Sequence, residues 1–68
     1  MHSLISSCID YVKYDHENET LEVTFYSGKV YSYYNLPEDV YMGLLEAYSP
    51  GTYYNFVIKG QYNCEKIA

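Results

Sequence analysis

The sequence feature that most constrains the fold is the stretch LEVTFYSGKVYSYY, residues 21–34. In its first half, apolar Leu21, Val23 and Phe25 alternate with residues that are polar or carry a polar tip. This period of two predicts a strand with one buried face and one face in water. The second half is rich in β-branched and aromatic side chains, which favour a pleated, partly buried surface. A Ser-Gly dipeptide separates the halves, so the stretch predicts two strands joined by a tight turn.

The type of turn decides which tyrosines face the core. In a two-residue type I′ turn, Ser27 would lie at positive φ, a conformation that favours Asn or Asp over Ser. The dipeptide fits better in a three-residue loop, in which a type I turn is followed by Gly28 in the left-handed region as a G1 bulge. This loop predicts three opposite pairs, namely Phe25 with Lys29, Val23 with Tyr31, and Leu21 with Tyr33.

The two turn types remain alternatives because they assign opposite faces to the second strand. The bulged loop places Tyr31 and Tyr33 on the apolar face of the hairpin. It points Val30, Ser32 and Tyr34 the other way. The two-residue turn exchanges these sets, because a slip of one residue reverses every side chain. The chemistry of the turn favours the bulged register.

Two shorter features precede this hairpin. Residues 7–14 predict a first strand. Both alternating sets of its side chains contain large residues, so the sequence does not show which set faces the core. The polar and acidic residues 15–19 predict the connection into the next strand. The three predicted strands therefore form an antiparallel meander, preceded by a loose lead-in over residues 1–6.

Beyond the hairpin, the apolar spacing changes to that of a helix. Pro37 suits the first helical position, and the two carboxylates that follow it suit the positive end of the helix dipole. The spacing i, i+4, i+7 and i+8 then predicts an amphipathic helix over residues 37–48. Its apolar stripe consists of Val40, Leu44, Ala47 and Tyr48. A second short helix is predicted over residues 52–59, with Gly60 as its C-terminal cap and residues 61–68 as a tail.

These elements predict a single α+β domain over residues 1–68. We expect a small antiparallel β-meander of about three strands, followed by a helical hairpin packed on one face of the sheet. Residues 1–6 and 63–68 are expected to be loose ends. A chain of 68 residues can bury little surface, so its stability depends on large side chains or on self-association. Eleven tyrosines supply large rings whose hydroxyls can reach water or a carbonyl.

The charge balance limits the ligands that the chain can bind. Nine acidic and four basic residues give a net charge of -5, and every basic residue is a lysine. Without arginine the chain lacks a bidentate fork for phosphate or guanine, and its overall field repels a polyanion. Composition therefore argues against strong binding of duplex nucleic acid. It leaves open a small ligand or a few stacked bases in a local patch.

The cysteines and the hydropathy pattern bear on location. Cys8 and Cys64 are too few for a disulfide framework and lie outside zinc-ligand spacing, which predicts reduced thiols in a cytoplasmic protein. A bond between them stays open, because both lie near chain ends. The start has no basic region followed by an apolar run, and no apolar segment approaches membrane-spanning length. We therefore expect neither a signal peptide nor a membrane partner.

No arrangement of side chains predicts catalysis. A nucleophile needs a base within hydrogen-bond reach, and the sequence pairs neither His2 nor His16 with a cysteine or serine. His16 lies among carboxylates that could hold a cation, but a solvated loop histidine is the simpler interpretation. Glu38 and Asp39 are adjacent, and the helix dipole explains them. We therefore predict no enzyme, no catalytic residue, no metal site and no cofactor.

Tyrosines outside the core are the remaining candidates for a function. Their rings are sequence-tolerant platforms on which bases stack. Most of the eleven rings are expected to pack in the core, with a few left outside it. The candidate ligand-binding residues are Tyr31, Tyr33, Tyr34, Tyr53, Tyr54, Asn55 and Lys59. In this hypothesis Asn55 bonds a base or ribose, and Lys59 meets a phosphate.

The chain also resembles the KTSC domain, a small module named for its occurrence at the C-terminus of some lysyl-tRNA synthetases and also found as a free-standing protein. The resemblance covers nearly the whole chain. It is carried in combination by Ser7, Ile9, Tyr14-Asp15, Leu21, Val23, Phe25, Gly28, Tyr31-Ser32-Tyr33, Leu36-Pro37, Val40-Tyr41, Ala47, Ser49, Gly51, Tyr53-Tyr54-Asn55, Ile58-Lys59 and Tyr62. The synthetase association implies RNA binding. This acidic chain without arginine departs from that pattern and resembles the free-standing bacterial or phage-type members.

The sequence thus favours a small non-catalytic binding module for a nucleotide-type ligand. The ligand is single-stranded RNA or a small nucleotide-derived molecule, and the small molecule fits the net charge better. The alternative is a protein-protein interaction or self-associating module. In that case the same tyrosines form a contact surface, a homo-oligomer can result, and no nucleotide binds.

Overall fold

The computed structural model describes residues 2–3 and 8–68 of the chain. The elements in that part are β1 (His2–Ser3), β2 (Ile9–Asp15), β3 (Thr20–Phe25), β4 (Val30–Tyr33), α1 (Glu38–Glu46), α2 (Pro50–Tyr53), a π-helical segment (Tyr54–Ile58) that continues α2, and β5 (Cys64–Lys66). The strands form an antiparallel sheet in the order β1-β2-β3-β4-β5, so each strand pairs with the next along the chain. The predicted α+β class and meander are confirmed, with more strands than the three predicted.

The β3-β4 hairpin has the bulged register. Its opposite pairs include Leu21 with Tyr33 and Val23 with Tyr31. The Phe25 N–H donates to the Lys29 carbonyl at 2.9 Å, and the Gly28 N–H donates to the Phe25 carbonyl at 2.9 Å. Gly28 has φ +94°, in the left-handed region that a G1 bulge requires. The predicted register is confirmed, and the two-residue turn is excluded.

Replacing Gly28 should weaken the hairpin. Alanine at this φ brings its Cβ too close to the following carbonyl oxygen, so Gly28→Ala is expected to lower the free energy of unfolding by roughly 1–2 kcal/mol. Urea denaturation followed by circular dichroism measures the change. Ser27→Ala, one residue earlier in the same exposed turn, is the control and should change stability little. Equal urea midpoints for the two variants would contradict this account of the turn.

A β-bulge in β2 settles the face that the sequence left ambiguous. The pairing with β3 shifts register between Ile9 and Tyr11, so Asp10 is the extra residue. Ile9 and Val12 are both fully buried. A regular strand would point residues three positions apart to opposite faces. The bulge brings both to the inner face of the sheet.

The C-terminal end is not loose, and this prediction is corrected. Residues 63–68 contain β5, which pairs antiparallel with β4 and places Cys64 opposite Tyr33. The three residues of β5 are all exposed and show no alternation of apolar and polar side chains. A strand of this kind has no local signal in the sequence. Backbone hydrogen bonds to β4 hold β5 in place, although the whole helical region separates the two strands in the sequence.

The N-terminal end is described only in part. His2–Ser3 forms β1 and pairs antiparallel with β2, although residues 1–6 were expected to be a loose lead-in. The other residues of that lead-in, together with Ser7 at the start of the predicted first strand, lie outside the described residues. For His2–Ser3 the prediction is therefore replaced by a strand.

The helices lie where the sequence places them, but their ends differ. α1 ends at Glu46, before the predicted end at residue 48, and Ala47 has extended backbone angles. Tyr48 is fully exposed, so the last two members of the predicted stripe do not belong to the helix. α2 begins at Pro50, two residues earlier than predicted, because proline is favourable in the first helical turn. Gly60 has φ +79°, as the predicted C-terminal cap requires.

The core lies between the inner face of the sheet and the helices. Its buried members are Ile9, Val12, Leu21, Val23, Tyr33, Leu36, Leu44, Tyr54 and Ile58. Partly buried tyrosines extend the core, and two of them use their hydroxyls as expected: Tyr14 donates to the Leu36 carbonyl at 2.7 Å, and Tyr53 donates to the Val40 carbonyl at 3.0 Å. None of the helices within residues 8–68 is long and apolar enough to cross a membrane.

Candidate functional site

A cleft of about 560 Å³ opens beside the β3-β4 turn, where the sheet meets the end of the π-helical segment. Its volume is within the range of small-molecule sites. The lining residues are Cys8, Phe25, Tyr26, Ser27, Lys29, Tyr31, Tyr33, Tyr54, Asn55, Lys59, Gly60 and Cys64. The cleft therefore combines the hairpin, the π-helical segment and β5.

The π-helical segment forms one wall of the cleft. The Lys59 N–H donates to the Tyr54 carbonyl at 2.8 Å, a bond that spans five residues and widens the turn. Tyr54 and Ile58 face the core, whereas Asn55 and Phe56 are exposed. π-helical turns are rare and frequently occur at functional sites. This one presents Asn55 and Lys59 to the cleft and keeps Tyr54 at its floor.

Buried aromatic rings form the floor of the cleft. Tyr33 and Tyr54 are 3% and 5% exposed, and their hydroxyls are hydrogen-bonded to each other. The Tyr54 ring packs edge-on against Tyr33 and Phe25, with ring centroids 5.9 and 5.5 Å apart. Tyr31 packs edge-on against Phe25 at 6.0 Å. Burial raises the pKa of both the Tyr33 and the Tyr54 hydroxyl, so both stay protonated at neutral pH.

The cleft is more positive than the rest of the protein. Lys29 and Lys59, two of the four lysines, line it and are exposed. All nine carboxylate residues lie within the described residues 8–68, and none of them lines the cleft. Positive charge is therefore concentrated beside the aromatic floor of an otherwise acidic chain.

The structure brings five of the seven predicted ligand-binding residues together. The five in the cleft are Tyr31, Tyr33, Tyr54, Asn55 and Lys59. Tyr34 lies outside it, because the register turns its side chain to the outer face, where it donates to Glu65 Oε1 at 2.8 Å. Tyr53 lies outside it as well, since its ring packs toward α1 and its hydroxyl is bonded to Val40. Ligand binding by the other five stays a prediction.

Sequence reasoning missed other lining residues. Lys29 and Phe25 could have been predicted as lining residues, because the predicted register already places them opposite each other on the inner side of the hairpin. Tyr26, 62% exposed, follows the same strand. Cys64 carried no signal, because only the pairing of β5 with β4 places it beside Tyr33. Cys8 and Cys64 are both exposed thiols.

The outer face of the sheet holds a second concave surface, of about 520 Å³. Its lining residues are Lys13, Asp15, Asn18, Thr20, Glu22, Ser32, Tyr34 and Asn35. This groove is polar, includes carboxylates and has one aromatic ring. It contrasts with the cleft, where aromatic walls and lysines occur together without a carboxylate.

Comparison with known proteins then assigns the family. The profile of the KTSC domain matches residues 5–62 of the chain. The chain belongs to the KTSC domain family. The crystal structure of a KTSC domain protein from Yersinia pestis superposes with a TM-score of 0.94 at 34% identity, covering 98% of this chain and 94% of that one. The resemblance found in the sequence is confirmed.

The KTSC domain also occurs within larger relatives. A lysine--tRNA ligase of Nostoc punctiforme is 36% identical over 62 residues, which are 91% of this chain but only 11% of the ligase. An uncharacterized protein of Stutzerimonas stutzeri is 43% identical over 60 residues, covering 88% of this chain and 84% of that protein. The same domain is therefore found both as most of a small protein and as a small part of a tRNA ligase.

Proposed function

We propose that this KTSC domain is a small non-catalytic module that binds a nucleotide-type ligand in the cleft. The ligand is single-stranded RNA or a small nucleotide-derived molecule. The observation that carries the proposal is the meeting of two lysines with an aromatic floor, in a cleft that no carboxylate lines. The presence of the domain in a lysine--tRNA ligase supports a nucleotide-type ligand, and the proposed setting is the cytoplasm.

The parts of the ligand match different parts of the cleft. A base has two apolar faces and polar edges, so it suits the aromatic rings of Phe25 and Tyr31. The exposed amide of Asn55 can bond a base edge or a ribose hydroxyl. A phosphate suits the ammonium groups of Lys29 and Lys59. The two lysines limit the strong phosphate contacts to few, which favours a short ligand over a long strand.

Replacing Lys59 should weaken binding. Lys59→Ala removes a charged donor to phosphate, and we expect about tenfold lower affinity for the dinucleotide pUpU. The slope of log affinity against log salt should fall by about 0.7, the value for one phosphate contact on a single strand. Amide NMR titration of the labelled protein at low and moderate salt measures both quantities. In the unmodified protein, shifts should cluster at residues 29–33 and 54–60.

Lys13→Ala is the matched control, because Lys13 lies in the groove on the outer face. It removes the same charge without touching the cleft, so it should lower affinity only slightly. Equal effects of the two variants would show that binding follows overall charge and would contradict the proposed site. No shift with pUpU or UMP at low salt would contradict nucleotide binding altogether.

The alternative function, a protein-protein interaction or self-associating module, has one observation in its favour. Tyr48 and Phe56 are exposed to 106% and 78%, more than aromatic rings usually are in a monomer. In the same NMR experiment, silence with uniformly broad lines would favour self-association. Sedimentation at increasing protein concentration would then show a growing particle.

A further inference from the structure

The hydroxyl pair on the floor of the cleft has one proton to spare. Tyr33 and Tyr54 carry two hydroxyl protons, and the single bond between them uses one. Within the described residues, neither hydroxyl has another hydrogen-bond partner. The hydroxyls of two partly buried tyrosines of the core, Tyr14 and Tyr53, each donate to a backbone carbonyl. The spare donor therefore lies in the cleft, on a pair that is more than nine-tenths buried.

Either hydroxyl of the pair can carry the spare proton, because their mutual hydrogen bond allows either oxygen to be the donor. Tyr33 and Tyr54 both line the cleft, so the spare proton is available to a ligand there whichever hydroxyl carries it. Burial raises the pKa of both hydroxyls, so both protons are present at neutral pH.

We infer that the Tyr33-Tyr54 hydroxyl pair donates its spare proton to a carbonyl oxygen on the base of the ligand and thereby selects bases that carry an exocyclic carbonyl. The inference rests on the proposed function. A carbonyl oxygen accepts the spare proton, so that both hydroxyl donors of the pair are used. An amino group at the same position would leave the spare proton unpaired in a site closed by the ligand. Sites built in this way discriminate strongly between close analogues.

The base, rather than the phosphate, is the part of the ligand that reaches the hydroxyl pair. Lys29 and Lys59 are exposed at the rim of the cleft, whereas the aromatic rings lie deeper. Phe25 and Tyr31 are half-buried, and Phe25 packs edge-on against both Tyr31 and Tyr54. A phosphate placed among these rings would lose its hydration without gaining a cation. A base placed there keeps its polar edge on the hydroxyl pair.

The test compares nucleotides that differ in this group and in the protonation of the ring nitrogen next to it. UMP carries an acceptor oxygen where CMP carries an amino donor, and IMP differs from AMP in the same way. The net charge is equal within each pair. We expect the unmodified protein to bind UMP and IMP about tenfold more tightly than CMP and AMP, as judged by amide NMR titration or calorimetry. Equal affinities within both pairs, or a preference for the amino members, would overturn the inference.

Phenylalanine variants test the role of the hydroxyl pair. The Tyr33→Phe, Tyr54→Phe double variant removes both hydroxyls and keeps both rings, so the preference within both nucleotide pairs should disappear. Tyr53→Phe removes a partly buried hydroxyl outside the cleft and leaves the pair in place, so the preference should persist. A preference that survives the double variant would overturn the inference, while binding itself would still support the proposed function. Failure of all four nucleotides to bind the unmodified protein would overturn the proposed function, and the inference with it.

Discussion

Raising the pH above about 10 should destabilise this protein steeply. Tyrosine in an unfolded chain ionises near pH 10, whereas burial raises the pKa of Tyr33 and Tyr54 above that value in the folded state. Above about pH 10 the unfolded chain therefore releases protons that the folded chain retains. Stability is complete below this pH and falls as pH rises. The slope approaches ~1.4 kcal/mol per pH unit for each hydroxyl that remains protonated in the folded state.

Urea unfolding at a series of pH values from about 8 to 11 measures this slope, and tyrosinate absorbance reports ionisation. A Tyr33→Phe, Tyr54→Phe double variant should lose most of the dependence, because its remaining tyrosines are less buried. Tyr48→Phe is the control, since Tyr48 is fully exposed in the folded protein and should leave the slope unchanged. A urea midpoint that is constant across this range would contradict the burial of the hydroxyl pair.

Truncating Leu44 should unfold much of the protein at room temperature. Leu44 is the fully buried residue of α1 and packs against the inner face of the sheet. Leu→Ala in a core costs about 2–5 kcal/mol through lost burial and the cavity left behind. Domains of this size seldom have more than about 3–5 kcal/mol of stability. Leu44→Ala should therefore shift the urea midpoint close to zero denaturant.

Met42→Ala is the matched control on the same helix. Met42 is 40% exposed, and methionine and leucine have similar helix propensities, so the two truncations differ mainly in burial. Circular dichroism and urea denaturation compare them, and Met42→Ala should cost less than about 1 kcal/mol. Equal destabilisation by the two variants would show that α1 does not pack on the sheet through Leu44.

The parts of the fold that local chemistry determines could be predicted from the sequence. The chemistry of Ser27-Gly28 favoured the register of the β3-β4 hairpin that the structure has, because the loop needs a glycine at its positive-φ position. That register then separates Tyr33, in the cleft, from Tyr34, on the outer face. The amphipathic spacing around Leu44 likewise places α1 on the sheet.

The remaining features depend on contacts between distant residues. The bulge at Asp10 is a property of the pairing between β2 and β3, and the sequence of one strand does not show it. The pairing of Cys64 with Tyr33 requires the helices to return the chain to the sheet first. The direction of Tyr53 depends on the turn between α1 and α2, where the predicted helix ended too late. Five of the seven predicted residues therefore lie together in the cleft and two lie outside it, and ligand binding stays a prediction.

β5 is the last strand in the sequence and lies at the edge of the sheet, and its pairing with β4 couples the cleft to local unfolding. Short connections join strands β2 to β4. Pairing β5 with β4 instead closes the long loop of residues 34–63, which costs more conformational entropy. β5 is also short and exposed, so it is expected to open more readily than the meander and to exchange its amide hydrogens first. Each opening removes Cys64 from the wall of the cleft. A ligand held in the cleft would slow that exchange, so its binding and the docking of the last strand would form one thermodynamic step.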